Sequence, residues 1–184
     1  MLLRRLSLAL LLALPVFAFA APLSVDPASV RIEVEARATM HGFTGRLAKA
    51  DVALETTPAG DALAAASVRF AWSDLKTGDK ARDREMLAWA TARSPDGAFL
   101  LLELEPTSGP DTYTASGSLS LNGETRDIAF PVKIARDAAG WSLSGETRID
   151  HRDWGLPKIR KFGFLTVDPV VAIRFSLTAS TAKE

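Results

Sequence analysis

The sequence predicts an all-β fold, a single antiparallel barrel or sandwich of about eight strands with one inserted α-helix. Apolar and polar residues alternate in segment after segment, and in a strand this alternation places the two kinds of side chain on opposite faces. The segments are short, and turn residues separate them at even spacing. One segment departs from the two-residue rhythm and has the composition of a helix.

Residues 1–20 have the features of a cleavable signal peptide. Two arginines precede an apolar run, and residues 18–20 give the small-x-small pattern of a cleavage site. The apolar run is shorter than the ~20 residues that a membrane-spanning helix needs. We therefore predict cleavage before Ala21, export to the periplasm and one domain over residues 21–184. The alternative is an uncleaved membrane anchor.

The composition excludes several classes of function. Cysteine is absent, which excludes disulfides, thiolate catalysis, iron–sulfur clusters and Cys-ligated zinc. The 22 basic residues match the 22 acidic ones, and no basic run occurs. This balance argues against a nucleic-acid partner and against strong adhesion to an anionic lipid surface. An exported chain without disulfides relies on its core for stability.

The first predicted strand covers residues 30–38, where apolar and charged residues alternate without interruption. Its charged residues, Arg31, Glu33, Glu35 and Arg37, are expected to face water. A second strand, at residues 47–55, has less regular faces. The third, at residues 66–72, places its large apolar side chains on one face.

A helix is predicted at residues 79–91, which contain helix formers and neither glycine nor proline. Asp79 can cap its N-terminus. Met86 and Trp89 are three residues apart, so they share a face that we expect to pack on the barrel.

Five further strands complete the set, at residues 98–105, 113–121, 128–134, 141–149 and 171–177. Asn122-Gly123 predicts a tight hairpin turn, and residues 137–140 predict a second turn. Pro131 lies inside a strand pattern, which predicts a sheet edge or a bulge there.

Four motifs, in order along the chain, resemble the YceI-like domain family. They are Leu75-Lys76-Thr77-Gly78 with Arg82-Asp83 and Met86-Leu87, then the hairpin from Tyr113 to Gly123, then Asp150-His151-Arg152-Asp153-Trp154-Gly155, and then Val167-Asp168-Pro169-Val170-Val171-Ala172-Ile173. The opening, from Leu23 through His41 to Gly45, is similar to the first hairpin of the family. One tryptophan, Trp89, stands where the family usually has an aromatic pair. The identity of the bound lipid does not carry over.

The resemblance implies a lipocalin-like antiparallel barrel that binds a long isoprenoid or another lipid in its interior. The predicted ligand-binding residues are Val34, Ala36, Ala38, Phe70, Trp72, Met86, Trp89, Phe99, Leu119, Phe130, Trp141 and Phe175. The candidates for polar or mouth contacts are His41, Phe43, Arg82, Asp83 and Trp154. For Arg82-Asp83, the alternatives are a surface ion pair, an anchor that holds the helix on the barrel, and a contact with a polar ligand head.

Residue size bears on whether the barrel is open. Ala36, Ala38, Ala115 and Gly117 are small where a packed core would prefer Leu or Ile, so they are expected to leave room for a lipid tail. The alternative is a filled core, because an eight-stranded barrel is just wide enough for either arrangement.

The function predicted is that of a carrier or buffer for an isoprenoid, a quinone-like molecule or another lipid. Burying one CH₂ contributes ~0.8 kcal/mol relative to water, but a lipid in a membrane already has apolar surroundings. Exchange between membrane and barrel is therefore nearly balanced, which suits loading and unloading. We predict no catalytic residue, no metal and no cofactor. The expected partners are the lipid, a membrane touched transiently for loading and a second copy in a homodimer, with no nucleic acid.

Two alternative functions stay open. One is a non-catalytic partner of a membrane redox protein. The other is an enzyme on the same barrel that uses His41 and His151, with Asp153 completing a zinc site. Two histidines without H-x-x-H spacing carry little information in its favour.

Overall fold

The computed structural model describes residues 20–39, 41–161 and 165–181. The predicted signal peptide, apart from Ala20, lies outside the described residues. The strands, in chain order, are β1 (Ala21–Val25), β2 (Arg31–Arg37), β3 (Gly42–Leu47), β4 (Asp51–Thr56), β5 (Leu63–Ala71), β6 (Leu75–Lys76), β7 (Asp96–Pro106), β8 (Thr112–Leu121), β9 (Glu124–Asp137), β10 (Gly140–Asp150), β11 (Arg160–Lys161), β12 (Leu165–Thr166) and β13 (Val170–Thr181). One α-helix, α1 (Lys80–Ala90), and two 3₁₀ turns, Trp72–Asp74 and His151–Trp154, complete this part of the chain.

Eight strands close an antiparallel barrel in the order β1-β4-β5-β7-β8-β9-β10-β13, and β13 pairs back to β1. This closed ring confirms the predicted fold class. Strand β13 is longer than either neighbour on that side, so it pairs with two of them. Its last residues pair with β1, and its first half pairs with β2. Strands β2, β3 and β6 therefore extend the sheet beyond the ring.

Three details of the predicted strands differ from the structure. Residues 47–55 form parts of two strands rather than one, because they pair with different partners. Leu47 pairs with Leu75 of β6, and Ala48 N–H continues that register to the carbonyl of Asp74 (2.8 Å), whereas residues 51–55 pair with β5. Strand β1 was not predicted, since five residues are too few for a clear alternation. Trp72 opens a 3₁₀ turn instead of ending a strand, and its backbone N–H donates to Pro95.

The helix forms where the sequence places it. Asp79 caps its N-terminus, and the Asp79 carboxylate accepts from the backbone N–H groups of Ala81 (2.8 Å) and Arg82 (3.1 Å). Neither this helix nor any other within the described ranges is long and apolar enough to cross a membrane.

The hairpin between β8 and β9 also follows the prediction. Asn122 and Gly123 have positive φ angles of 51° and 76°, as the type I′ turn requires of both central residues. At the next turn, Asp137 accepts from the N–H groups of Ala139 and Gly140.

The charged face of β2 lies outside, where it forms ion pairs with its two neighbouring strands, β3 and β13. Glu33 pairs with Arg46 of β3 at 2.7 Å. Glu35 pairs with Arg174 of β13 at 2.9 Å, and Arg174 also pairs with Glu146 of β10 at 2.8 Å. Because these groups are partly exposed, each pair contributes little to stability. Their position shows that the charged side chains of residues 30–38 share one face, as the alternation predicts, which leaves the apolar side chains on the other face.

The interior holds two apolar clusters. The first cluster contains buried residues near the end that β1 closes, among them Leu23, Leu63, Phe130, Trp141 and Leu177. The second cluster is built on Leu119, Leu121, Ile149 and Trp154, with half-buried side chains such as Phe70, Trp72, Val171 and Ile173 packed against it. Full burial of such a side chain contributes roughly 1.5–3 kcal/mol.

Candidate functional site

Each of the two clusters has a buried centre with half-buried apolar side chains packed against it. In the first cluster Leu23 is 8%, Trp141 5% and Leu177 8% exposed, and in the second Trp154 is 2% exposed. The half-buried side chains around the second cluster include Phe70, Trp72, Phe99, Val171 and Ile173, and Val34 of β2 pairs with Ile173. These side chains keep apolar surface within reach of solvent.

Three glycines on inward-facing positions are covered by phenylalanine rings. A Cβ added to Gly117 would lie 2.5 Å from Cζ of Phe99, and one added to Gly145 would lie 2.6 Å from Cζ of Phe175. Gly97 is covered in the same way by Phe70 of β5. The expectation that Gly117 leaves room is wrong for this structure, since a ring from β7 occupies the space.

The alanines named with Gly117 are also packed. Ala115 is 3% exposed within the first cluster, and Ala36 is 6% exposed. Ala38 lies just beyond β2, where it forms an isolated bridge with Val167. The small residues thus do not mark open space by themselves.

Aromatic rings from separate strands meet in the interior. Phe70 and Trp72 are in edge contact at 5.6 Å between ring centroids. Phe130 lies 5.5 Å from Phe99 and 5.8 Å from Phe175. Five of the predicted ligand-binding residues are thereby placed in two aromatic groups. A sixth, Leu119, is buried in the second cluster. Trp141 is buried in the first cluster, under the guanidinium of Arg136.

Helix α1 spans from β3 to the segment that follows β10. Near its start, the guanidinium of Arg82 stacks on Phe43 at 4.5 Å from the ring centroid. Near its end, Trp89 makes an edge contact with His151 at 4.9 Å and donates from Nε1 to the carbonyl of Pro157 at 2.9 Å. Met86, between these two positions, is half-buried. The predicted packing of Trp89 is thus made against residues 151–157.

Asp83 anchors the helix. Its carboxylate accepts from the side-chain hydroxyl of Thr77 (2.6 Å) and from the Thr77 backbone N–H (2.8 Å). These two hydrogen bonds, the side-chain one first, lower the pKa of Asp83 below its ordinary value. Of the three roles considered for Arg82-Asp83, the geometry supports the anchor.

A cleft of about 280 Å³ lies between the helix and the 3₁₀ turn Trp72–Asp74. Its apolar lining includes Trp72, Leu75 and Leu87, and its basic lining comes from Lys76, Lys80 and Arg84. The indole N–H of Trp72 is buried and has no hydrogen-bond partner among the described residues. Sequence reasoning did not identify this cleft, because its basic residues come from β6 and from two turns of α1.

The two histidines are in different environments. His151 is 4% exposed, and its Nδ1 lies 3.2 Å from the carbonyl of Leu156, so Nδ1 carries the proton and donates. Nε2 is buried without a partner among the described residues, and burial lowers the pKa of His151. His41 is exposed in the loop between β2 and β3.

The zinc site considered from His41, His151 and Asp153 is not assembled. In the described part of the chain no three His, Cys, Asp or Glu side chains come together as a metal would require. Asp153 instead offers its backbone carbonyl to Arg126 at 3.1 Å.

Trp154, a candidate for a contact at the mouth, is a buried residue of the second cluster. It is 2% exposed, and its Nε1 donates to the carbonyl of Leu119 at 2.8 Å. Its own carbonyl accepts from the amide of Asn122 at 2.9 Å. A buried indole normally finds such a partner, so this tryptophan holds the turn His151–Trp154 against the end of β8.

Comparison with known proteins agrees with this architecture. The sequence model of the YceI-like domain matches residues 23–179. No curated relative matches the chain. The solved structure of Burkholderia cenocepacia BcnA is similar, with 21% identity, a TM-score of 0.74, and coverage of 85% of this chain and 100% of that chain.

Two further solved structures share the fold. A polyisoprenoid binding domain from Saccharophagus degradans, implicated in plant cell wall breakdown, has 16% identity, a TM-score of 0.65, and coverage of 89% of this chain and 100% of that chain. The Campylobacter jejuni YCEI protein has 17% identity, a TM-score of 0.58, and coverage of 76% of this chain and 85% of that chain.

Proposed function

The chain belongs to the YceI-like domain family, and from this we propose that it is a barrel that binds the apolar chain of an isoprenoid, a quinone-like molecule or another long lipid. The observation that carries the proposal is the half-buried apolar lining around the second cluster, where Phe70, Trp72 and Val34 keep contact with solvent. The description of the Saccharophagus degradans relative as a polyisoprenoid binding domain supports the same class of ligand.

Binding would cover this lining. Each Å² of apolar surface removed from water contributes about 25 cal/mol, so the half-buried rings are a favourable place for a lipid tail. The rings over Gly97, Gly117 and Gly145 occupy part of that space, and a tail that enters deeply must turn them aside. A ligand bound in this way is held by contact area rather than by directed bonds, which suits exchange with a membrane.

The proposal is one of binding without turnover. Export to the periplasm, a carrier or buffer role there, and loading by a transient membrane contact belong to the same proposal. The buried, unpartnered polar atoms Trp72 Nε1 and His151 Nε2 come from two different elements. A polar ligand end that reached either atom would supply the missing hydrogen bond.

Native mass spectrometry of protein purified from a Gram-negative host, followed by lipid extraction, tests the proposal. We expect a co-purifying lipid. Val34→Trp places a large side chain in the apolar lining and is expected to abolish binding of that lipid. Glu33→Trp adds the same side chain to the outer face of β2 and is expected to retain it. Protein that is repeatedly free of lipid, with both variants unchanged, would refute the proposal.

A further inference from the structure

The barrel wall is open between β9 and β10. The two strands pair only from Asp137 and Gly140 as far as Val132 and Gly145. Beyond that point β9 stays paired with β8, and β10 stays paired with β13. Both strands therefore keep their places while no ladder joins these described segments to each other. We refer to the gap between residues 124–131 and 146–150 as the seam.

The sequence itself ends the ladder. Pro131 is the first residue of β9 beyond the last pair, and a Cβ added to Gly145 would lie 2.9 Å from its carbonyl oxygen. The backbone of Pro131 therefore faces β10, and a proline has no N–H to donate there. The predicted edge position of Pro131 is thus found within the barrel wall, at the start of the seam.

A cavity of about 380 Å³ occupies the seam. Its inner lining is apolar. Ile149 and Trp154 belong to the second cluster, and Ile128 packs against both clusters. The cavity therefore leads from the outer surface to the side chains that line the barrel interior.

The rim of the seam is charged but balanced. It carries the guanidinium groups of Arg126 and Arg148 and the carboxylates of Asp127, Asp150 and Asp153. Asp150 is further paired with the guanidinium of Arg152, which lies outside the cavity lining. With no excess of positive charge, this rim suits an uncharged polar group better than a phosphate.

We propose that the seam is a lateral entrance through which the tail of an amphiphilic lipid enters and leaves the barrel, while its uncharged polar end rests at the charged rim. The inference relies on the proposed lipid-binding function. One side-chain hydrogen bond, from Arg126 Nε to the carbonyl of Asp153, crosses the far end of the seam. Opening it is easier than undocking α1, which Arg82, Asp83 and Trp89 attach to the barrel.

The absence of cysteine makes a direct test simple, since an introduced thiol is the only one in the chain. Ile128→Cys is modified with N-cyclohexylmaleimide, and Ala129→Cys, the next residue on the outer face, is the matched control. Decylubiquinone, an uncharged quinone that quenches tryptophan fluorescence, is the probe in stopped-flow mixing. Near-ultraviolet circular dichroism checks that each modified protein is folded.

We expect modified Ile128→Cys to take up and release the quinone about tenfold more slowly at nearly unchanged Kd, a barrier increase of about 1.4 kcal/mol. Modified Ala129→Cys should keep both rates. Arg126→Ala removes the hydrogen bond to Asp153 that crosses the seam and should raise both rates. Arg148→Ala, at the same rim but with no such hydrogen bond to the described residues, should leave both rates unchanged. Farnesol should also compete better than farnesyl diphosphate, which has the same tail.

Several outcomes would overturn the entrance. One is that the exchange rates are unchanged in both modified Ile128→Cys and Arg126→Ala, and another is that the thiol at position 128 does not react with the maleimide. A third is that the Kd of modified Ile128→Cys rises without slower exchange. The last is that the exchange rates change on substitution of Lys80 and Arg84 in the helix cleft instead. Unmodified protein that binds no quinone and no farnesol would instead refute the proposed function.

Discussion

At the scale of single residues, the burial and hydrogen bonding of polar side chains are the properties least predictable from the sequence. Nothing in the sequence around His151 shows that its ring is buried, that Nδ1 donates to Leu156, or that Nε2 lacks a partner. These properties come from Trp89 and from the turn His151–Trp154, which lie far apart in the chain. Sequence reasoning placed His151 at a strand end, and its environment depends on tertiary contacts.

Burial of His151 predicts a pH dependence of stability. Its pKa in the folded state lies below the ordinary value of about 6.5, so the unfolded chain binds more protons as the pH falls through that range. The free energy of unfolding should therefore drop between pH 7 and pH 5, by at most about 1.4 kcal/mol per pH unit. Nearby Asp150 has a pKa of about 2 and stays charged throughout.

Urea unfolding at several pH values measures this effect. His151→Phe should flatten the slope, and His41→Asn, in an exposed loop, should leave it as in the unmodified protein. An equal slope in all three proteins would contradict the assignment of this pH dependence to His151.

The covered glycines give a second residue-scale prediction. Gly97→Ala should destabilise the protein by about 1–3 kcal/mol, because the new methyl group meets the ring of Phe70 and no other atom as closely. In the double variant Gly97→Ala/Phe70→Leu, the alanine should destabilise the protein less than it does when Phe70 is present, since the ring has been removed. Denaturant unfolding of the four proteins of this cycle provides the measurement, and strict additivity would argue against the contact.

At the scale of elements, local patterns predicted the strands and helix well and the breaks between them poorly. The cap at Asp79 and the turn at Asn122-Gly123 depend on residues close in sequence, and both formed as expected. The break between β3 and β4 arises because β3 pairs with β6 and β4 pairs with β5, and the seam depends on which neighbour Pro131 faces. Such features are set by distant partners.

Pro131→Ala tests the origin of the seam. An alanine supplies the missing N–H, and we expect the β9–β10 ladder to extend by at least one pair. Hydrogen exchange should show slow exchange for the amide at position 131. Ligand exchange should slow as well. Rapid exchange at position 131 would show that something other than the proline holds the strands apart.

At the scale of the whole molecule, the number of barrel strands was predicted correctly and the membership of the ring was not. The eight predicted segments include β2, whereas the ring uses β1. The choice is made by β13, which pairs Leu23 with Thr181 and Ile32 with Phe175. Alternation identifies a strand and its inward face, but it does not identify partners about 150 residues away.

Closure by β1 and β13 gives a prediction for the whole chain. Deleting residues 178–184 removes every pair between the two strands and exposes the first cluster. We expect loss of cooperative unfolding in urea. Deletion of residues 182–184, outside the described residues, should change the free energy of unfolding by no more than about 0.5 kcal/mol. A cooperative transition in the longer deletion would mean that the β1–β13 pairs contribute little.

The same closure also determines when the barrel can form during synthesis of the chain. The barrel joins its first strand to its last, so in a chain emerging from the ribosome β1 can pair with β4 on one edge but has no partner on its other edge until residues 179–181 are released. Contacts of such sequence separation form slowly, because a long loop must close before they contribute. The nascent chain therefore remains open until its synthesis is complete. For the proposed export, this delay leaves the barrel of the precursor unclosed while the chain is being made, and translocation requires an extended chain.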